Sequence, residues 1–151
     1  MKYFDKTFDS PYTQYCVIPR EDINIVFRCT AVLNDEKFLA LCPEPKPPIK
    51  SDGTLLFDDP TYKKKSLEWV DKKLSWLFLM SVKDTEGLTW DTIDYNNAET
   101  WSRYRQELRD AFFTDGEINR IVETVFKVNS LNPELFEEAL QSFLAGRGKG
   151  Q

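Results

Sequence analysis

Thr114-Asp115-Gly116-Glu117 constrains this chain more than any other stretch, because it carries both halves of a capping box. A Thr114 hydroxyl can accept from the backbone N–H of Glu117 while the Glu117 carboxylate reaches back to the N–H of Thr114, so two orphan donors at a helix start are satisfied together. Phe113 before the cap and Ile118 after it stand where a hydrophobic staple would close. Ile118, Ile121, Val122 and Val125 then recur at the spacing of one helix face. The same grammar repeats downstream. Asn132 is the cap, Pro133 takes the first helical position, Leu131 can staple to Phe136, and Gly146 stops a stripe of Phe136, Ala139, Leu140, Phe143 and Leu144. Two amphipathic helices with a three- or four-residue joint predict an αα-hairpin. Such a hairpin offers packing surface and no catalytic group, so partners are the first place to look for function.

A chain of 151 residues is long enough for one well-buried core, and 41% hydrophobic with 30% charged residues is a globular composition. The net charge of −5 argues against a nucleic-acid partner, which requires a basic face to displace counterions from phosphate. The N-terminus has no apolar run of signal-peptide length, and the longest apolar stretch, residues 76–80, falls far short of the roughly 20 residues of a membrane span. The expectation is a cytoplasmic protein with no membrane partner. Cys16, Cys29 and Cys42, with no histidine and no CxxC pair, make a poor zinc set and are expected to be free, buried thiols. No metal or other cofactor is expected.

The chain divides into a β-rich part (1–42), a Pro-rich connector (43–60), a helical part (61–146) and a flexible tail (147–151) of one domain. Residues 15–18 and 23–32 read as strands around a turn at residues 19–22, and Ile23, Ile25, Phe27 and Cys29 alternate with Asn24, Val26 and Arg28 as in a sheet with one buried face. Residues 37–41 fit either a third strand or a helical turn. Five of the eight prolines lie in residues 43–60, within a stretch that favours extended chain, and Asp58-Asp59-Pro60 is suited to starting a helix. In that helix Leu67, Val70, Leu74, Leu77, Phe78 and Ser81 form one stripe, which Trp69, Trp76 and Met80 widen. After a loop at residues 84–97, a helix starting at Asn96 or Asn97 should turn Trp101, Tyr104, Leu108, Ala111 and Phe112 inward. The fold class expected is α+β: a small N-terminal antiparallel sheet followed by a bundle of about four helices.

Chemistry finds little support. Without histidine the commonest general base is missing, and no phosphate-cradling glycine loop or nucleophile elbow is present. The carboxylate clusters Asp58-Asp59, Asp91 with Asp94, and Glu137-Glu138 all sit where capping or the helix dipole explains them. Lys63-Lys64-Lys65 with Lys72-Lys73 reads as a solvated helix face, and Pro45-Lys46-Pro47-Pro48, although a PxxP pattern, as a stiff spacer. Aromatic residues make up 14% of the chain, and all four tryptophans fall in or beside the first two long helices. Core packing is the default explanation of this load, and an interface, whose hot spots are enriched in aromatics, is the sharper alternative. Trp101, Trp90, Trp76 and Phe113 are the candidate partner-binding residues, with Trp101 foremost because it opens a helix next to a polar loop.

Several segments also carry a family likeness: residues 41–48 closing the strand region, Trp69 and Trp76 on a Lys-rich helix, Leu88-Thr89-Trp90-Asp91-Thr92-Ile93-Asp94, Thr100-Trp101, Glu107-Leu108, Glu117-Ile118-Asn119-Arg120-Ile121 and Asn129-Ser130-Leu131. Together, over residues 17–144, they resemble the tail assembly chaperones of bacteriophages with long non-contractile tails. The motifs are packing and turn signatures without chemistry. The resemblance implies a non-enzymatic protein of the host cytoplasm that coats the tape-measure protein, keeps it soluble while tail tube protein assembles, self-associates along that rod, and is absent from the finished virion. It further implies a longer form made by a ribosomal frameshift, with which codons for Gly148-Lys149-Gly150 are compatible. The rival expectations are a minor tail or connector protein that stays in the particle, and a small acidic inhibitor or adaptor of a host protein.

Overall fold

A computed structural model describes residues 1–130; the second helix of the expected hairpin and the tail 147–151 lie outside the described residues. The architecture is α+β. Two small antiparallel hairpins come first, β1 (Lys2–Tyr3) with β2 (Lys6–Thr7) and β3 (Thr13–Pro19) with β4 (Asn24–Thr30). Helices α1 (Glu36–Leu41) and α2 (Pro60–Val82) follow, then a 3-10 helix (Ala98–Arg103) that runs directly into α3 (Tyr104–Asp110), and α4 (Asp115–Val128).

The β3–β4 register runs from Thr13 opposite Thr30 to Pro19 opposite Asn24, across a turn closed by the Arg20 N–H on the Ile23 carbonyl. Side-chain alternation then sends Cys16, Ile18, Phe27 and Cys29 into the core and leaves Tyr15, Val17, Val26 and Arg28 outside. The inner face rests on α2 and α4. Thr85, just past α2, binds Arg28 from the side: its Oγ1 accepts from the Arg28 N–H at 2.9 Å and donates to the Arg28 carbonyl. Residues 37–41 resolve to a helical turn, and its purpose is Phe38. That ring is fully buried among Trp69, Trp76 and Trp101, with centroids 5.5, 5.7 and 6.0 Å away.

Three helix starts behave as the sequence implies, and the start at Asn132 lies outside the described residues. Asp59 caps α2 by accepting from the Tyr62 N–H, with Pro60 at the first position; Asn97 caps the 3-10 segment; and the Thr114–Glu117 box is complete in both directions. Ile118, Ile121 and Val125 are buried, Val122 half-buried, as the α4 stripe requires.

Three expectations on inner faces fail. Ile23, expected on the buried face with Ile25, Phe27 and Cys29, is exposed because it closes the turn before β4 begins at Asn24. In α2 the buried residues are Trp76, Phe78, Leu79, Ser81 and Val82 with Ser75, whereas Leu67, Val70 and Leu74 are exposed. The end of β4 and the cap of α4 meet α2 at Ser81, which donates to the Thr30 carbonyl and accepts from Asn129, so the stripe outruns this cover. Ala111 and Phe112 are exposed instead of inward because α3 stops at Asp110. There the Phe112 N–H binds the Arg109 carbonyl and the Phe113 N–H binds the Leu108 carbonyl, a Schellman ending with Phe112 in the left-handed region at φ 67°.

Candidate protein-binding surface

The tryptophans proposed as anchors are distributed by the core. Trp101 is fully buried; its Nε1 donates to the Tyr95 carbonyl at 3.2 Å while the ring lies against Phe38. Trp76 is buried against the same phenylalanine. Both expectations of an accessible anchor are therefore corrected: a helix start beside a polar loop can still turn its side chain inward when a small core needs a large ring. Trp90 is half-buried against the core, and its Nε1 is enclosed without a hydrogen bond among the described residues. Phe113 is half-buried, edge-on to Phe27 at 6.0 Å and covered by the Arg20 guanidinium at 5.1 Å.

Arg20 also holds Glu117 with two hydrogen bonds, of 2.5 and 3.0 Å. The Arg20 bond, followed by the Thr114 N–H, brings the Glu117 carboxyl down to about 2. Arg20, Phe113 and Glu117 thus form a clamp between the β3–β4 turn and the start of α4. Their arrangement serves the fold.

Polar clusters are likewise structural. A cavity of about 340 Å³ opens between α2 and the 3-10 helix and is lined by Glu68, Asp71, Lys72, Ser75 and Glu99. Lys72 Nζ lies 2.9 Å from Glu99 Oε1, and each holds the other in its charged form: the lysine rises above its ordinary value and the carboxyl falls below it. The pair bridges α2 and the 3-10 helix at the surface. Asp58 pairs with Lys63, and Asp94 accepts from the Asn96 N–H. Burial pushes the Glu107 carboxyl up, but donors from Asp91 and Thr92 outweigh it and leave the group below its usual value. Cys16 and Cys29 are buried free thiols, Cys29 pushed up to about 12 by desolvation, and Cys42 is a half-buried free thiol. Among the described residues no cluster of three or more His, Cys, Asp or Glu is arranged to hold a metal ion, and no helix is long and apolar enough to cross a membrane.

What stands out is apolar surface at strained backbone. All of residues 1–12 are exposed, Tyr3, Phe4, Phe8 and Tyr12 among them. Phe4 and Asp5 form the β1–β2 turn with φ of 49° and 63°, a pair of positions that ordinarily takes Asn-Gly. Phe4 is 88% exposed and Phe112, at the other left-handed position, 89%. Among the described residues, the two most exposed phenylalanines therefore sit where glycine would cost least. The outer face of β3–β4 adds Tyr15, Val17 and Val26. Sequence reasoning passed over these residues, although four aromatics in the first twelve positions, with no periodic pattern to bury them, were a usable signal.

No protein-family model matches this chain, and neither a curated protein nor a solved structure matches it.

Proposed function

We propose that this protein works by binding other proteins, as a tail assembly chaperone of a bacteriophage with a long non-contractile tail, holding the tape-measure protein for assembly with tail tube protein in the host cytoplasm. The observation that supports it best is the coincidence of strain and exposure at Phe4 and Phe112. A bulky residue in the left-handed region costs about 1 to 2 kcal/mol. A hairpin with two residues per strand is marginal by itself, and the Phe4 ring at its tip lies edge-on to Tyr3 at 4.8 Å, itself exposed, so the pair is not packed against the core. A partner would supply that packing. Aromatic side chains are the usual anchors of protein interfaces, and a tape-measure protein, a long helix with an apolar stripe, offers the grooves they fill.

Co-expression with the tape-measure protein tests the reading. The wild-type chain should co-purify with it and be absent from purified virions. A Phe4→Gly, Phe112→Gly double variant should keep or raise its urea midpoint and lose co-purification. Wild-type recovery of the tape-measure protein by that variant, or abundant chain in the finished particle, would overturn the proposal, the latter in favour of a minor tail protein.

A further inference from the structure

The β3–β4 hairpin has two edges, and the fold treats them differently. The Ala31 N–H reaches the Tyr12 carbonyl and the Arg20 N–H the Ile23 carbonyl, so ladder bonds fall on the even-numbered residues of β3 and the odd-numbered residues of β4. The backbone groups of Arg28 and Thr30 therefore point away from β3, and side chains cap them. Thr85 Oγ1 binds both groups of Arg28, and the Ser81 hydroxyl donates to the Thr30 carbonyl. On the other edge the outward groups belong to Thr13, Tyr15 and Val17. Among the described residues none of these N–H or carbonyl groups has a hydrogen-bond partner. Open edges are ordinarily blunted by a charge or a cover. No charged residue lies between Thr13 and Pro19, and Tyr15 and Val17 are 64% and 41% exposed.

We propose that β3 pairs antiparallel with β3 of a second copy, about a two-fold axis at Tyr15, and joins two hairpins into one four-stranded sheet. Three observations select a second copy over an unrelated strand. The first is symmetry. With Tyr15 facing itself, Thr13 faces Val17 of the second copy, and each facing pair exchanges two backbone hydrogen bonds, so every open group on the edge is used. The next outward positions of the same alternation are Pro11 and Pro19, each four residues from Tyr15. They meet one another across the axis, and the residues with no N–H to give end the ladder at both ends. The second is charge. A two-fold contact sets like groups near each other, which a chain of net charge −5 tolerates best along an uncharged strand. The third is side-chain pairing. The register places Tyr15 beside Arg28 and Val17 beside Val26 on the outer face. In the joined sheet two Tyr15 rings therefore lie side by side between two Arg28 guanidiniums, a stabilising cross-strand pair flanked by cations that favour aromatic faces. Because the β4 edge is capped, the pairing closes at two copies. It concerns self-association alone and stands whichever other protein the chain binds.

Sedimentation and cysteine crosslinking of the full chain decide it. The wild-type chain should sediment at twice its mass. In a Cys42→Ser background, which removes the half-buried native thiol, Tyr15→Cys should form a disulfide-linked dimer with oxidised glutathione. Residues facing each other in a hydrogen-bonded pair lie about 5.5 Å apart between Cα atoms, within disulfide reach. Thr13→Cys alone should not crosslink, because its two copies stand about 14 Å apart along the sheet, whereas Thr13→Cys combined with Val17→Cys should. Tyr15→Lys sets two cations together at the axis and should sediment as a monomer with an unchanged circular dichroism spectrum, while Tyr15→Phe remains a dimer. A wild-type chain that is monomeric at every concentration would overturn the proposal. So would a dimer that survives in folded Tyr15→Lys, or crosslinking of Thr13→Cys as fast as that of Tyr15→Cys. If Tyr15→Lys fails to fold, the wild-type mass and the cysteine series decide.

Discussion

Phe112 occupies a position at which helices commonly end in glycine. Its φ of 67° and its exposure mean that the ring contributes no packing to set against the strain. Replacing it with glycine removes about 1 to 2 kcal/mol of left-handed strain and returns about 0.5 to 1 kcal/mol as extra entropy of the unfolded chain. Phe112→Gly should therefore raise stability by up to about 1.5 kcal/mol, read as a higher urea midpoint at constant slope. A lower midpoint would show that the ring has a packing role in the monomer. Trp101 presents the opposite case. Its ring is sealed against Phe38 and its indole N–H is spent on Tyr95, so Trp101→Ala should cost about 3 to 5 kcal/mol through cavity formation. A melt close to wild type would place the tryptophan outside the core. The sequence places Trp101 and Phe112 together on one inner face, and only the Schellman ending, which no glycine announces, separates them.

At the scale of the elements, what could be read from sequence is what depends on local chemistry. Thr114 with Glu117, Asp59 with Pro60, and Asn97 all start helices because a side-chain oxygen three or fewer residues from the donors needs no tertiary context. The inward face of β4 was legible for the same reason: period-two alternation is a property of the strand itself. Which half of the α2 stripe is covered was not legible, since that depends on where β4 and α4 come to rest. The anchoring tryptophans were misassigned because burial of a large ring depends on Phe38, whose short helix looked as much like strand. The Arg20–Glu117 clamp lay equally beyond local reading, at a separation of 97 residues. It makes a testable contribution to acid stability. Glu117 falls from its ordinary 4.5 to about 2 in the folded protein, so the stabilisation is fully present above the unfolded value and is lost as pH falls through the folded one. Urea midpoints measured from pH 6 down to about pH 2 should drop across that window. The part due to Glu117 should vanish in Glu117→Gln, which will be less stable than wild type at pH 6 and closer to it at the acid end. Parallel curves would remove the clamp from the account.

At the scale of the whole molecule, one buried polar node joins the parts that sequence order keeps apart. Asn129 Oδ1 accepts from the Val32 N–H just after β4, Asn129 Nδ2 donates to Ser81 Oγ on α2, and the Ser81 hydroxyl donates to the Thr30 carbonyl at the end of β4. Sheet, long helix and last helix are thus tied within one hydrogen-bonded chain, and the apolar core around it draws residues from β3, β4 and all four α-helices. A fold so joined should unfold as a unit, in keeping with the single domain expected across the proline-rich connector. Asn129→Ala deletes both arms of the amide and strands the Val32 N–H in a partly buried site. The stability lost should be about 1 to 3 kcal/mol, the cost of leaving such a donor unsatisfied. The transition should nonetheless stay single. Tryptophan fluorescence reports the cluster around Phe38, and far-ultraviolet circular dichroism reports the helices as a whole. Their urea curves should coincide in wild type and move together in Asn129→Ala. If the variant's two curves separate, the node is what makes the sheet and helices one cooperative body; if wild-type curves already separate, the parts fold independently and the core is less continuous than its contacts imply.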